Sequence, residues 1–232
     1  MKTIGLIGGV TWESTKEYYR ILNEETNRHL GGYHSARCLI NSLDFAEVLD
    51  TQRNRGLDIL GALIESAAIQ LAKGGADILL ICANTLNRFA DRVEKAAGLP
   101  VLHIVDPTAA AIKAAGMTTA GLLGTRYTME EDFIVGRYTG RHRLNIIVPE
   151  ADDRAAVNDI IYTELARGIV KDSSRSRMLD IIAGLKQSGI EGIILGCTEL
   201  PLLVNPADIP IPAFDTTELH AKAAVELALG EK

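Results

Sequence analysis

At 232 residues the chain is long enough to bury one large core or two modest ones, and its composition excludes a disordered segment, a fibre or a disulfide scaffold. A formal net charge of -6, with Lys and Arg spread along the chain, offers no basic stripe for phosphates, so no nucleic-acid partner is expected. No apolar stretch approaches the roughly 20 residues that cross a bilayer. No small-residue cleavage site follows the N-terminal apolar run, so a cytoplasmic protein without a membrane partner is expected. The three cysteines, Cys38, Cys82 and Cys197, cannot all pair within one chain and read as free thiols of a reducing compartment.

Short apolar runs followed by longer helical patterns recur from end to end, which predicts an α/β fold with mainly parallel sheets flanked by helices. Thr3 to Gly8 reads as a buried strand, with Thr11 as the N-cap of the following helix and Glu13 in its first turn. Cys38, before Leu39-Ile40, reads as a small buried residue on a strand. Leu57, Leu60, Ile64, Ala67, Ala68 and Leu71 form a helical stripe that ends at Gly74-Gly75. A strand from Asp77 to Cys82, a helix from about Leu86 to Ala97 and a short strand from Val101 to Ile104 follow, and the first half closes near Asp106-Pro107. The second half repeats the grammar: strands Thr119 to Gly124 and Leu144 to Val148, helical stretches through 153 to 188, then a strand Gly192 to Gly196.

The repetition extends to single residues. Gly5-Leu6-Ile7-Gly8 matches Gly121-Leu122-Leu123-Gly124 at an offset of 121 - 5 = 116, and Leu79-Leu80-Ile81 matches Ile193-Ile194-Leu195 at 193 - 79 = 114. Two offsets this close predict a duplicated domain: pseudo-symmetric lobes, the first from residues 1-106 plus about 215-232, the second from 107-214, with the active site in the cleft between them.

Four segments at strand ends are expected to line that cleft: Gly8-Gly9-Val10-Thr11, Cys82-Ala83-Asn84-Thr85, Gly124-Thr125-Arg126-Tyr127-Thr128 and Gly196-Cys197-Thr198-Glu199. Each offers small residues, hydroxyls or an amide where a helix begins, which suits a small anion. Gly5 to Gly9 lacks the G-x-G-x-x-G spacing of a dinucleotide site. His29, His34, His103, His142 and His220 lack close metal-ligand spacing, so neither cofactor nor metal is expected. Cys197 is left as the residue with chemistry, placed where a helix N-terminus would favour a thiolate.

At these residues the sequence resembles the aspartate/glutamate racemase family of cofactor-independent amino-acid racemases, most closely its broad bacterial branch. The resemblance rests on Ile4-Gly5-Leu6-Ile7-Gly8-Gly9 with Trp12-Glu13-Ser14-Thr15, on Asn84-Thr85, on Leu122 to Met129, on Pro149-Glu150-Ala151-Asp152, on Gly196-Cys197-Thr198-Glu199 and on Phe214-Asp215-Thr216-Thr217. It implies a two-lobed homodimer in which two thiols flank the α-carbon of an acidic amino acid, one removing the proton and the other returning it to the opposite face. It further implies that Asn84, Thr85 and Thr198, with the backbone around Val10 and Thr11, hold the α-carboxylate and amine, and that Gln52, Arg53 and Lys171 meet the side-chain carboxylate; Ala83 and Thr125, at their strand ends, are also expected to line the substrate site.

The chain departs from the family at one position. The first catalytic residue directly precedes the Asn-Thr pair, and here it is Ala83, which the 114 offset also pairs with Cys197 (197 - 114 = 83). Four explanations stand: Cys82 reaches the site through a local bend, a water or other group is the second acid, the chain is a one-thiol enzyme, or Ala83 was introduced by engineering. The family also often carries a histidine where this chain has Asn87. The expected function is racemisation of aspartate or glutamate. The alternatives are a one-thiol lyase or isomerase, as in the arylmalonate-type decarboxylases, and an idle amino-acid-binding homologue.

Overall fold

A computed structural model describes residues 1–230. They fall into two compact units, Met1–Ile104 together with the tail from His220, and Val105–Leu219. Residues 231–232, which the sequence assigns to the first lobe, lie outside the described residues. The first unit contains β1 (Ile4–Gly8), α1 (Trp12–Leu30), β2 (Cys38–Ser42), α2 (Phe45–Asp50), α3 (Leu57–Lys73), β3 (Ile78–Ile81), α4 (Ala90–Ala97) and β4 (Val101–Leu102). The second contains α5 (Val105–Ala114), β5 (Thr119–Gly124), α6 (Arg126–Glu130), α7 (Asp132–Gly136), β6 (Asn145–Ile147), α8 (Ala151–Thr163), α9 (Asp172–Gln187), β7 (Gly192–Gly196), α10 (Leu200–Leu203) and β8 (Ala213–Asp215). The bound between the units falls inside the last helix, α11 (Thr216–Leu229).

Each unit carries a four-stranded parallel sheet, in the order β2-β1-β3-β4 in the first and β6-β5-β7-β8 in the second. The shared order is the structural form of the sequence repeat, and the strand register repeats with it. Gly5 pairs with Leu79 in the first sheet, and Gly121 pairs with Ile193 in the second, so the offsets of 121 - 5 = 116 and 193 - 79 = 114 describe one and the same pairing.

Strand alternation decides which side chains meet on each face of the first sheet. On one face Ile7, Leu79 and Ile81 pack with Leu60, Ile64, Ala67, Ala68 and Leu71 of α3 and with Ala90 and Val93 of α4. On the other, Ile4, Leu6, Ile78, Leu80 and Cys82 pack with Tyr18, Ile21 and Leu22 of α1 and with Ala221, Ala224, Val225 and Ala228 of α11. The three- and four-residue spacings on those helices are what the sequence stripe predicts for α3, and each fully buried Leu or Ile contributes roughly 1.5–3 kcal/mol. His220 sits on the α1 face. Its Nε2 lies 2.8 Å from the Leu102 carbonyl, which only accepts, so Nε2 donates there and Nδ1 accepts from the Tyr18 hydroxyl at 2.8 Å.

The end of the first half expected near Asp106-Pro107 falls in the first turn of α5, which begins at Val105. At its start Asp106 accepts Arg137 Nε at 2.8 Å and Arg137 Nη2 at 2.7 Å, and its Oδ1 lies 2.8 Å from His142 Nε2. Burial would raise this carboxyl, but the bonds from Arg137 and His142 outweigh it and hold the group well below the usual carboxylate range.

Several expected bounds move. The strand expected from Asp77 to Cys82 is four residues, Ile78–Ile81, and the helix expected from about Leu86 opens with a 3-10 turn, Thr85–Phe89, before α4. Cys38 lies on a strand as expected but is half-buried, because β2 is at the edge of its sheet. No helix among the described residues is long and apolar enough to cross a membrane.

Candidate active site

Parallel strands deliver their carboxyl ends to the same edge, so in each unit two strand-end loops meet. In the first unit these follow β1 and β3, neighbours in the sheet; the Cys82 N–H donates to the Ile7 carbonyl at 2.9 Å. Gly9 makes the turn after β1 possible. It has φ +88°, and a Cβ there would come within 2.1 Å of the Leu43 carbonyl oxygen. Thr11 caps α1 by accepting the Ser14 N–H, and the Val10-Thr11 peptide is cis. Thr15 returns to the loop by accepting the Gly9 N–H at 2.8 Å and donating to the Thr11 carbonyl at 3.1 Å.

The β3 loop is held by two side chains. Ser14 Oγ donates to the Cys82 carbonyl at 2.9 Å. Asn87 is buried, donates to the carbonyls of Ile81 at 3.2 Å and Ala83 at 2.9 Å, and accepts the Ile104 N–H at 3.1 Å. The position where the family often carries histidine therefore holds an amide that both donates and accepts along the backbone, which imidazole in one tautomer reproduces only in part. The strand alternation continues through the loop. Cys82 belongs to the α1 face of the core, whereas Ala83 and Val10 pack against the α3 face.

This placement corrects the expectation that Cys82 stands in for residue 83. It is fully buried among Ile4, Leu6 and Tyr18, and burial, with Cys38 nearby, pushes its thiol far above the ordinary value. No bend turns it to the other face. Asn84 is buried at the start of the 3-10 turn and Thr85 is half-buried beside it. Gln52 and Arg53 follow α2 on a π-helical turn, Thr51–Arg55; Gln52 is half-buried and Arg53 is exposed.

In the second unit the loops after β5 and β7 meet in the same way, with Gly124 paired to Gly196. Glycine is required at 196 because a Cβ would lie 2.8 Å from the Leu123 carbonyl oxygen. Thr125 caps α6, its side chain accepting the Thr128 N–H. Cys197 stands one residue past β7, as Ala83 stands one residue past Cys82 in the matching register. Its Sγ donates to Glu199 Oε2 at 2.9 Å, and Thr198 Oγ1 donates to the same oxygen at 2.6 Å.

The expectation of a helix-stabilised thiolate at Cys197 is reversed. The helix that follows, α10, has a single turn, and burial, then the charge of Glu199 and its acceptance of the S–H, push the thiol well above its ordinary value against the pull of the Thr198 and Glu199 backbone N–H groups. Glu199 was not singled out as a site residue in the sequence, although a carboxylate two places after a thiol at a strand end is a readable signal. Lys171 is engaged elsewhere in its unit. It precedes α9 and its Nζ is 2.9 Å from Glu164 Oε1, while Ser174 Oγ donates to the other oxygen at 2.6 Å.

The profile of the Asp/Glu/hydantoin racemase family matches residues 7–224, nearly the whole chain. The chain belongs to this family. It is 48% identical to a proposed Asp/Glu racemase from Yersinia pestis whose crystal structure superposes with a TM-score of 0.94, over 99% of this chain and 100% of that one. The crystal structure of an aspartate racemase homologue from Pyrococcus horikoshii gives 34% identity and a TM-score of 0.86, over 99% of this chain and 100% of that one. A glutamate racemase from Roseiflexus is 28% identical over 94% of this chain and 73% of its own length. The two sheets with their flanking helices are thus the two-lobed α/β fold of these racemases.

Proposed function

We propose that the protein is a cofactor-independent isomerase that moves the α-proton of aspartate or glutamate, with Cys197 as its thiol acid/base. The observation that carries this reading is the Cys197 thiol, one residue beyond β7 and hydrogen-bonded to a nearly buried carboxylate, in a chain of a racemase family. A thiol is suited to the work because both of its protonation states are reachable near neutral pH with one neighbouring base. Val10, Thr11, Asn84, Thr85, Thr125 and Thr198 are the proposed partners of the substrate's α-carboxylate and amine, with Gln52 and Arg53 for its side chain. Arg53 is the better cation for that role, since Glu164 already neutralises Lys171.

A second reading is favoured by one packing fact: Ala83 carries no proton and Cys82 lies in the core. The chain would then exchange or deliver a proton on a single face, as a one-thiol enzyme. Incubation with L-aspartate or L-glutamate in D₂O separates the readings. α-Deuteration with loss of optical rotation supports racemisation, and deuteration with rotation kept supports the one-thiol enzyme. Binding without deuteration rejects both for these substrates. Cys197→Ala is expected to abolish exchange.

A further inference from the structure

The turn that leads into β6 gathers positive charge in a chain whose net charge is -6. Arg137, Arg141, His142 and Arg143 fall on a π-helical turn, Arg137–Arg141, and the two residues after it. One carboxylate stands against them. Asp106 binds Arg137 through two nitrogens and meets His142 Nε2, so it is already committed, and the charge of Arg141 reaches it only through space. The elements packed most closely on the turn are α5, α7 and β6, and the only other acid they carry is Asp132, exposed at the far end of α7. Arg141 and Arg143 are exposed, and among the described residues neither has a carboxylate partner, whereas the exposed Arg20, Arg126 and Arg177 each hold one. The support beneath them is fixed. Tyr138 is fully buried, and the N–H groups of His142, Arg143 and Leu144 donate to the carbonyls of Arg137 at 3.3 Å, Thr139 at 3.1 Å and Tyr138 at 3.1 Å. Arg143 is held at φ +57°, the only non-glycine residue at positive φ among the described residues, a conformation its Cβ disfavours. Two residues later β6 begins with Asn145 paired to Thr119, the first residue of β5, so the patch lies toward the amino ends of the strands and Cys197 at their carboxyl ends.

We propose that Arg141 and Arg143, on the turn braced by Asp106, form a binding site for a phosphate dianion, separate from the candidate active site. Planar guanidinium forks match pairs of phosphate oxygens, and each such contact is a charge-assisted hydrogen bond. Asp106 neutralises Arg137 and locks the turn, which leaves two cations on a fixed backbone with no use inside the fold. The patch is short and the chain around it is net negative, so it suits a small anion and not a nucleic-acid backbone, which needs a longer track of cations. The ligand is the free ion or a phosphate monoester, since both carry the dianion. The site does not depend on the reaction assigned to Cys197.

Isothermal titration calorimetry with inorganic phosphate, near neutral pH and at constant chloride, is expected to show one saturable site per chain. Arg141→Gln and Arg143→Gln should each weaken it about tenfold, the loss expected when a hydrogen-bonded charge is removed. Arg141→Lys, which keeps the charge without the fork, should lose less. Arg37→Gln removes another exposed arginine without a carboxylate partner, in the other unit, and should bind as the wild type does. Melting temperatures measured without phosphate check that each variant folds. Methyl phosphate separates the two sources of ligand: affinity equal to that of phosphate fits an ester and binding of phosphate alone fits the free ion, and either supports the site. Saturating L-aspartate should leave the phosphate affinity unchanged, because the two sites lie at opposite ends of the strands. No saturable binding by the wild type, unchanged binding in both glutamine variants, an equal loss in Arg37→Gln, or displacement of phosphate by L-aspartate overturns the proposal.

Discussion

Ala83→Cys installs a thiol at the place the register assigns to the counterpart of Cys197. The substitution adds one heavy atom at a half-buried residue, so it costs about 1 kcal/mol of stability. Its loop is held by Asn87 and Ser14 through backbone carbonyls, and these bonds do not involve the residue 83 side chain. A positioned proton carrier is worth about 10²- to 10⁴-fold in rate, or roughly 3–5 kcal/mol off the barrier. The effect on catalysis thus exceeds the effect on folding. The assay compares two rates on one sample of L-aspartate or L-glutamate in D₂O: α-deuteration by mass spectrometry and loss of rotation by polarimetry. In Ala83→Cys the second rate is expected to rise by about 10²-fold or more toward the first. A folded variant whose introduced thiol is alkylated yet whose rotation decays as in the wild type would refute the assignment of position 83.

Cys82→Ala is expected to leave exchange unchanged and to lower stability by about 1 kcal/mol, since it removes a buried sulfur from the α1 face; reduced exchange at unchanged melting temperature would contradict the core placement. Asp106→Asn is expected to cost about 2 kcal/mol at pH 7, because two guanidinium bonds and one imidazole bond lose their charge partner in a part-buried site. The Asp106 carboxyl is held below its unfolded value, so its contribution is present above about pH 4 and fades as pH falls through the folded value. Urea midpoints of the wild type and the variant should accordingly converge on acidification, and a constant gap from pH 7 to pH 3 would count against the pairing.

The strands buried on both faces were readable in the sequence because nothing interrupts their apolar runs: β5 and β7 begin and end where their composition places them. Duplication was readable for the same reason, since the register preserves it. β8 was not, as a three-residue strand after Pro210 and Pro212 offers no period to detect. In the candidate site, alternation at a strand end sufficed to set Cys82 against Ala83. What the sequence could not supply was the balance at Cys197, where burial and the Glu199 carboxylate outweigh the local N–H groups. That balance depends on which oxygen meets the sulfur, a fact of side-chain geometry rather than of spacing.

Asn87 has a consequence for how this chain can change. The main-chain course of the turn after β3 is written by an amide four residues away, which ties Ile81 and Ala83 to the segment at Ile104. The side chain at 83 is therefore a socket rather than a strut. Serine or cysteine, each one heavy atom larger than alanine, leaves those backbone bonds as they are, so a single codon is enough to change the proton chemistry proposed for this position.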